Sequence, residues 1–151
     1  MSLEVFATRL KELMQEEKVS KHALARSAKS ERKSISFWLK GEFYPRYDAL
    51  IRLADSFDVS INYLLGLSDK IAQSDFKKVN LTDCHGIFIS HVKAYMSNNN
   101  MTEYGMSKAL KIGQTTFKRW FQDGVVPETA SLIKVAELLG ETVDFLLGRE
   151  I

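Results

Sequence analysis

The stretch that decides the fold reads Ser20-Lys-His-Ala-Leu-Ala-Arg-Ser-Ala-Lys-Ser-Glu-Arg-Lys-Ser-Ile-Ser-Phe-Trp-Leu-Lys-Gly41, with Pro45 four residues further on. Ser20 is suited to an N-cap, because its hydroxyl can accept from the free N–H groups of a first helical turn. In the helix it opens, Ala23, Leu24 and Ala28 recur at helical spacing and are expected to face inward. After Lys29-Ser30 the apolar positions resume at Ile35, Trp38 and Leu39, predicting a further helix over Glu31–Lys40 that stops at Gly41. Residues 42–45 read as a loop, since proline cannot sit in a helix interior.

Working outward, Val5, Phe6, Leu10, Leu13 and Met14 line one face of a helix ending near Lys18. Downstream, a helix over Tyr47–Phe57 turns Leu50, Ile51, Leu53 and Ala54 inward, and Ser60 caps a short one carrying Ile61, Leu64 and Leu65 before Gly66. Five short helices and no sustained two-residue alternation make the class all-α.

The same pattern returns 82 residues later without a gap. Phe6 falls on Phe88, Lys29 on Lys111, Trp38 on Trp120, Pro45 on Pro127, and Leu64-Leu65-Gly66 on Leu146-Leu147-Gly148. A Trp, a Pro and a Leu-Leu-Gly ending at one offset indicate a repeated unit. In the second copy Thr102 and Thr142 are the expected caps, and a helix over Gln114–Gln122 carries Phe117, Trp120 and Phe121. The expected organisation is a first domain over 1–69, a linker over 70–86 with a helical turn around Phe76–Val79, and a second domain over 87–151. Met1-Ser2-Leu3 also fits a cloning remnant.

The chain has 151 residues, 45 % hydrophobic and 26 % charged, as in ordinary globular proteins. No apolar run approaches the roughly 18 residues of a membrane span, and no signal peptide is visible. A single cysteine, Cys84, leaves no intramolecular disulfide and fits a reducing compartment. A cytoplasmic protein without a membrane partner is expected. The net charge of +2 decides little, but its distribution does: residues 1–80 carry 14 basic against 11 acidic side chains, and residues 81–151 carry 7 against 8.

The segment Ser20–Gly41, then Pro45, then Leu50–Leu67 with its ending Val59-Ser-Ile-Asn-Tyr-Leu-Leu-Gly-Leu-Ser-Asp69, resembles the lambda-repressor-like (Cro/C1, XRE-type) helix-turn-helix domain. Phe88–Gly148 resembles it more loosely, through Thr102, Met106, Ile112, Thr116, Trp120, Pro127 and Val143–Gly148. The resemblance implies two tandem five-helix domains of this type joined by a linker. Two positions depart from the family pattern. Its usual Gln at the start of the second helix is Lys21 here, and Glu103 in the second copy. Its favoured turn Gly is Lys29, and Lys111 in the second copy, where a left-handed conformation would cost about 1–2 kcal/mol.

Such a motif places its recognition helix in the major groove of double-stranded DNA, with the N-terminal residues at base edges. The resemblance therefore assigns base contacts to Arg32, Lys33, Ser34, Ser36 and Phe37. Arg and Lys favour guanine, and Phe can touch a thymine methyl. Lys21, Lys29 and Lys40 are assigned to phosphates. The window Lys18–Lys40 holds seven basic residues against Glu31, a net of +6. In the second copy Gln114, Thr115, Thr116, Lys118 and Arg119 are the corresponding candidates, but Asn100–Gln122 nets only +3 and Glu103 would face phosphate.

That leaves two roles open for the second copy: DNA contact, or dimerisation and partner binding through an apolar patch at Phe121, Val125 and Val126. The function expected is a sequence-specific transcriptional regulator of the phage or bacterial repressor type. The alternative is a protein-interaction module, such as an antitoxin or phage-control protein. No nucleophile signature, phosphate loop or carboxylate pair points to an enzyme or a cofactor. Cys84, His85 and His91 are three candidate ligands at no standard zinc spacing, so no metal is expected. Trp38 and Trp120 are expected in the core, and His22 at the surface.

Overall fold

The computed structural model describes residues 2–71 and 76–150, and the chain divides into two compact units, 1–75 and 76–151. The described residues form helices without strands. Unit 1 contains α1 (Ser2–Glu16), α2 (Lys21–Ala28), α3 (Arg32–Leu39), α4 (Tyr47–Phe57) and α5 (Ile61–Leu64). Unit 2 contains a 3-10 turn at Leu81–Asp83, then α6 (Cys84–Asn98), α7 (Glu103–Leu110), α8 (Gln114–Gln122), α9 (Thr129–Leu139) and α10 (Val143–Leu147). Every helix of unit 2 starts 82 residues after its counterpart in unit 1.

The helix starts follow from side-chain caps. Ser20 accepts from the Ala23 N–H at 3.1 Å and Ser60 from Tyr63 at 2.9 Å. Thr102 accepts from Gly105 at 3.0 Å and Thr142 from Phe145 at 2.9 Å. Each bond satisfies an N–H that the helix itself leaves unpartnered.

In unit 1 the buried faces of the helices meet in one core, with Phe6, Leu10, Leu24, Ile35, Leu50, Leu53, Ile61 and Leu64 fully enclosed. Trp38 is buried and Phe6 lies against Tyr44. Unit 2 encloses Phe88, Val92, Met106, Phe117, Leu132, Val143 and Leu146, with Phe88 edge-on to the buried Trp120. Gly66 and Gly148 end the last helices with φ near +82° and +91°. A Cβ there would lie 2.5 Å from Val5 and 2.7 Å from Ile87, so the Leu-Leu-Gly ending is required by close approach as well as by conformation.

Several expectations need correction. α1 ends at Glu16, and α3 spans Arg32–Leu39, one residue shorter at each end than expected. In α2 the inward set is Leu24, Ala25 and Ala28, while Ala23 is exposed, because position 25 lies nearer than position 23 to the face that Leu24 and Ala28 define. Leu39 and Met14 are half-buried, and Val5 is exposed.

The expected linker over 70–86 divides between the units. Ser60 N–H donates to the Ile71 carbonyl, and α6 already begins at Cys84. The helical turn falls at Leu81–Asp83 rather than Phe76–Val79, since Asn80 caps it by accepting from Thr82. Linker residues 72–75 lie outside the described residues. Ser2 and Leu3, read as a remnant, form the start of α1; Met1 lies outside the described residues.

The two units close differently around their last helices. In unit 1, Arg9 on α1 donates to the carbonyls of Tyr63 and Ser68, pairs with Asp69 at 2.8 Å, and lies over the Tyr63 ring. Unit 2 has His91 at the corresponding position, stacked on Phe145 at 4.0 Å. The ionic clasp comes instead from Arg149, which is fully buried, pairs with the equally buried Asp144, and lies over Phe76. The Lys77 N–H donates to the Arg149 carbonyl, fastening the segment that leads into the unit.

Candidate nucleic-acid interface

α2 and α3 are joined by Lys29 in the left-handed region, at φ 50° and ψ 46°. Lys29 N–H reaches the Arg26 carbonyl and Ser30 N–H reaches Ala25, so the turn satisfies the last carbonyls of α2. Lys111 repeats this at φ 56°, ψ 46°, with Ile112 N–H on the Ser107 carbonyl. Both lysines thus adopt the conformation that glycine favours, and the turn bears a strain of about 1–2 kcal/mol.

Ile35 and Trp38 anchor α3 in the core, which turns the remaining positions outward. Arg32, Lys33 and Lys40 are exposed, while Ser34, Ser36 and Phe37 are half-buried. The first turn of α3 contains no acidic residue, and its N-cap, Glu31, makes no side-chain capping bond. Lys21, at the start of α2, donates from Nζ to Ser36 Oγ at 3.3 Å. That contact brings a cation from the neighbouring helix onto the outer edge of α3. Lys29 is exposed in the turn between them. Of the seven basic residues in Lys18–Lys40, five (Lys21, Lys29, Arg32, Lys33 and Lys40) thus lie on α3 or next to it.

The structure adds two residues that sequence reasoning did not select. A pocket between α3 and the loop into α4 is lined by Ser34, Trp38, Phe43, Pro45 and Arg46. Arg46 is exposed at the N-cap of α4, and Phe43 is 46 % exposed with its ring 5.2 Å from that of Phe37. The signal for Arg46 was its place directly after Pro45, at the start of a helix. Phe43 carried no periodic signal, because it lies in a loop.

Unit 2 offers the same frame with different chemistry. Gln114, Thr115, Thr116, Lys118 and Arg119 are all exposed on α8. Arg119, however, pairs with Asp123 at 3.2 Å, one turn along the helix. The corresponding pocket is lined by Thr116, Trp120, Val125, Pro127 and Glu128, so a carboxylate stands where unit 1 has Arg46. Glu103, exposed at the start of α7, stands where unit 1 has Lys21. Of the expected apolar patch, Val125 is 44 % exposed, Phe121 is half-buried against Phe117, and Val126 is buried. The patch is thus smaller than expected, because the loop folds Val126 inward beside Pro127.

Of the three metal-ligand candidates in unit 2, Cys84 is buried and His85 and His91 are half-buried. Cys84 is buried with its Sγ 3.6 Å from the Leu147 carbonyl, and burial, followed by the charge of Asp83, pushes its thiol up to about 11. His85 Nε2 hydrogen-bonds the Trp120 carbonyl, and burial lowers the pKa of His91 against the opposing pull of Glu141 and a backbone bond to Phe145. Among the described residues no group of three His, Cys, Asp or Glu side chains could hold a metal ion. Nor is any described helix long and apolar enough to cross a membrane.

Residues 9–70 match the family model of the Cro/C1-type HTH DNA-binding domain. No curated protein and no solved structure matches the chain. The match covers unit 1 from the middle of α1 to the end of the segment that follows α5. Unit 1 thus carries a helix-turn-helix domain of a DNA-binding, transcription-regulating kind.

Proposed function

We propose that a chain carrying such a domain acts as a sequence-specific transcriptional regulator of the phage or bacterial repressor type, working in the compartment that holds the DNA. α3 enters the major groove, with Arg32, Lys33, Ser34, Ser36 and Phe37 at base edges. Lys21, Lys29 and Lys40 bind phosphates, and Arg46 joins them from the start of α4. The observation that carries this reading is that Lys21, Lys29, Arg32, Lys33 and Lys40 are all exposed on or beside one short helix, with Lys21 bonded to Ser36. A solvated basic face elsewhere on the molecule would not need that registration.

The second unit supports two uses. Gln114, Thr115, Thr116, Lys118 and Arg119 can read a second half-site, Gln by pairing with adenine. Glu103, Asp123 and Glu128 around the same helix favour the other use, in which unit 2 holds a second copy of the chain or a protein partner, as an antitoxin or phage-control protein would. In the dimer, two α3 helices lie one duplex turn apart, about 34 Å. In either case the chain works by binding, without catalysis.

The test is random-site selection on duplex DNA with the full chain, followed by gel-shift titration of the selected site at several salt concentrations. A defined site and an affinity falling with log salt by about 0.9 per neutralised phosphate are expected. Flat salt dependence with no enriched sequence refutes the reading.

A further inference from the structure

Unit 1 carries, beside the cations of α3, an aromatic pair in which Phe43 is exposed and Phe37 is half-buried. Phe37 lies on α3, four residues after Lys33 and therefore on the same face. Phe43 reaches back from the following loop, with the two ring centroids 5.2 Å apart and the planes tilted by 45°. The Lys33 ammonium lies 5.8 Å from the centre of the Phe37 ring, within cation–π range. An exposed apolar patch on a polar surface is a recurrent mark of a contact site.

The fold does not require this pair. At the matching places of unit 2, on helices of the same spacing, stand Arg119 and Val125, and Arg119 turns to Asp123. Phe121 in unit 2 does pack on a neighbour, but that neighbour is the buried Phe117. The core closes in both units whether or not the loop carries an aromatic ring. Nor does Phe43 serve as the aromatic anchor of the loop, because Tyr44 does that against Phe6. Glu42, exposed beside Phe43, is the acidic residue of the loop, and Asp48 at the start of α4 lines the same pocket as Phe43.

We propose that Phe37 and Phe43 form a thymine-methyl reader and determine part of the sequence specificity of unit 1, an inference that rests on the DNA-binding reading above. Among the base edges in the major groove the C5-methyl of thymine is the apolar one. Two tilted rings form a surface able to enclose a methyl group, and Lys33 and Arg32 on the same helix hold the approach by their charge. Phe37 supplies the wall on the helix, and Phe43 closes the side facing the loop. Unit 2, lacking both rings, has no such preference.

The probe is the selected duplex with each thymine replaced in turn by deoxyuridine, which removes the methyl and leaves every hydrogen-bonding edge unchanged. For the full wild-type chain, removal at one or two positions should weaken binding about four-fold or more, as expected for one buried methyl. In Phe43→Ala, and in Phe37→Leu as a milder change at the half-buried site, the uracil effect should disappear while the salt slope stays the same. Helical circular dichroism of both variants should match the wild type. Uracil silent at every position, with the wild-type complex still formed, overturns the methyl reader and leaves DNA binding intact. The same silence with affinity lost in Phe43→Ala would make the rings a wedge between base steps, and with self-association lost would make them an interface between copies. Either outcome overturns the proposal. Failure of the wild-type chain to select any DNA overturns the reading beneath it instead.

Discussion

Replacing Lys29 by glycine separates the mechanical role of the turn from its electrostatic role. Lys29 is held at φ 50° and ψ 46°, a conformation costing a non-glycine residue about 1–2 kcal/mol. Glycine removes that cost but returns about 0.4–1 kcal/mol through the greater freedom of the unfolded chain. The net gain is then about 0.5–1 kcal/mol, a rise of a few degrees in the melting temperature of so small a unit. The same substitution removes one cation from the edge of α3. The salt slope of DNA binding should therefore become shallower by about 0.9.

Lys29→Ala provides the control, since alanine keeps the strain and loses the same charge. Urea unfolding followed by circular dichroism measures the first effect, and gel shifts at four or five salt concentrations the second. The expected result is Lys29→Gly more stable than Lys29→Ala, with equally weakened DNA binding. A glycine variant no more stable than the alanine variant would refute the strain argument. An unchanged salt slope would remove Lys29 from the phosphate contacts. Lys111→Gly should give the same stabilisation in unit 2, because its turn has the same geometry.

Further outcomes follow from other parts of the chain. Arg32→Ala should relax selection at one base position, by about 1–3 kcal/mol, whereas Lys21→Ala should weaken all sequences alike; both are read from selection and salt titration. Gly66→Ala should destabilise unit 1 by about 2–4 kcal/mol, combining left-handed strain with overpacking against Val5 at 2.5 Å, as measured by urea unfolding. Arg149→Met should cost unit 2 about 3–5 kcal/mol by removing the cation that balances the buried carboxylate of Asp144, and adding Asp144→Leu should recover most of the loss. The thiol of Cys84 is held up at about 11 from an ordinary 9.0, so the folded state binds the proton more tightly than the unfolded chain. Its contribution to stability is full below pH 9 and is lost as the pH rises towards about 11, which alkaline unfolding of the chain against Cys84→Ala would show.

Much of the frame was legible because caps and periodicity are local. Ser20, Ser60, Thr102 and Thr142 open helices where expected, and Tyr47–Phe57 and Gln114–Gln122 have the expected bounds. Ala23 misled because alanine is neutral to burial, and the face defined by Leu24 and Ala28 takes in position 25 rather than 23. The closing contacts were not legible, since Arg9 with Asp69 and Arg149 with Phe76 join residues 60 and 73 positions apart. In the candidate interface, the exposed residues of α3 could be read from the phase set by Ile35 and Trp38. Phe43 could not, because it lies in a loop outside any periodic segment, and Arg46 was marked only by its place after Pro45, with its nearness to α3 set by the return of the loop.

The unlike clasps bear on how the polypeptide sorts itself during synthesis. Helical frames of equal spacing on one polypeptide invite exchange, with the leading helix of one docking into the other, a recurrent failure of chains with repeated architecture. Here the exchanged pairings are mismatched. Docked on α10, the guanidinium of Arg9 would meet Phe145 in place of Tyr63, and Ile stands at position 151 where unit 1 has Asp69, leaving Glu141 as the carboxylate near that place. Docked on α5, His91 would face Tyr63 and leave Asp69 without its arginine. The divergence at these few positions thus acts as a key that tells each leading helix which half to join. Exchanging Ser2–Glu16 with Cys84–Asn98 should therefore slow refolding and promote aggregation, while Arg9→His alone should erode the discrimination without blocking folding.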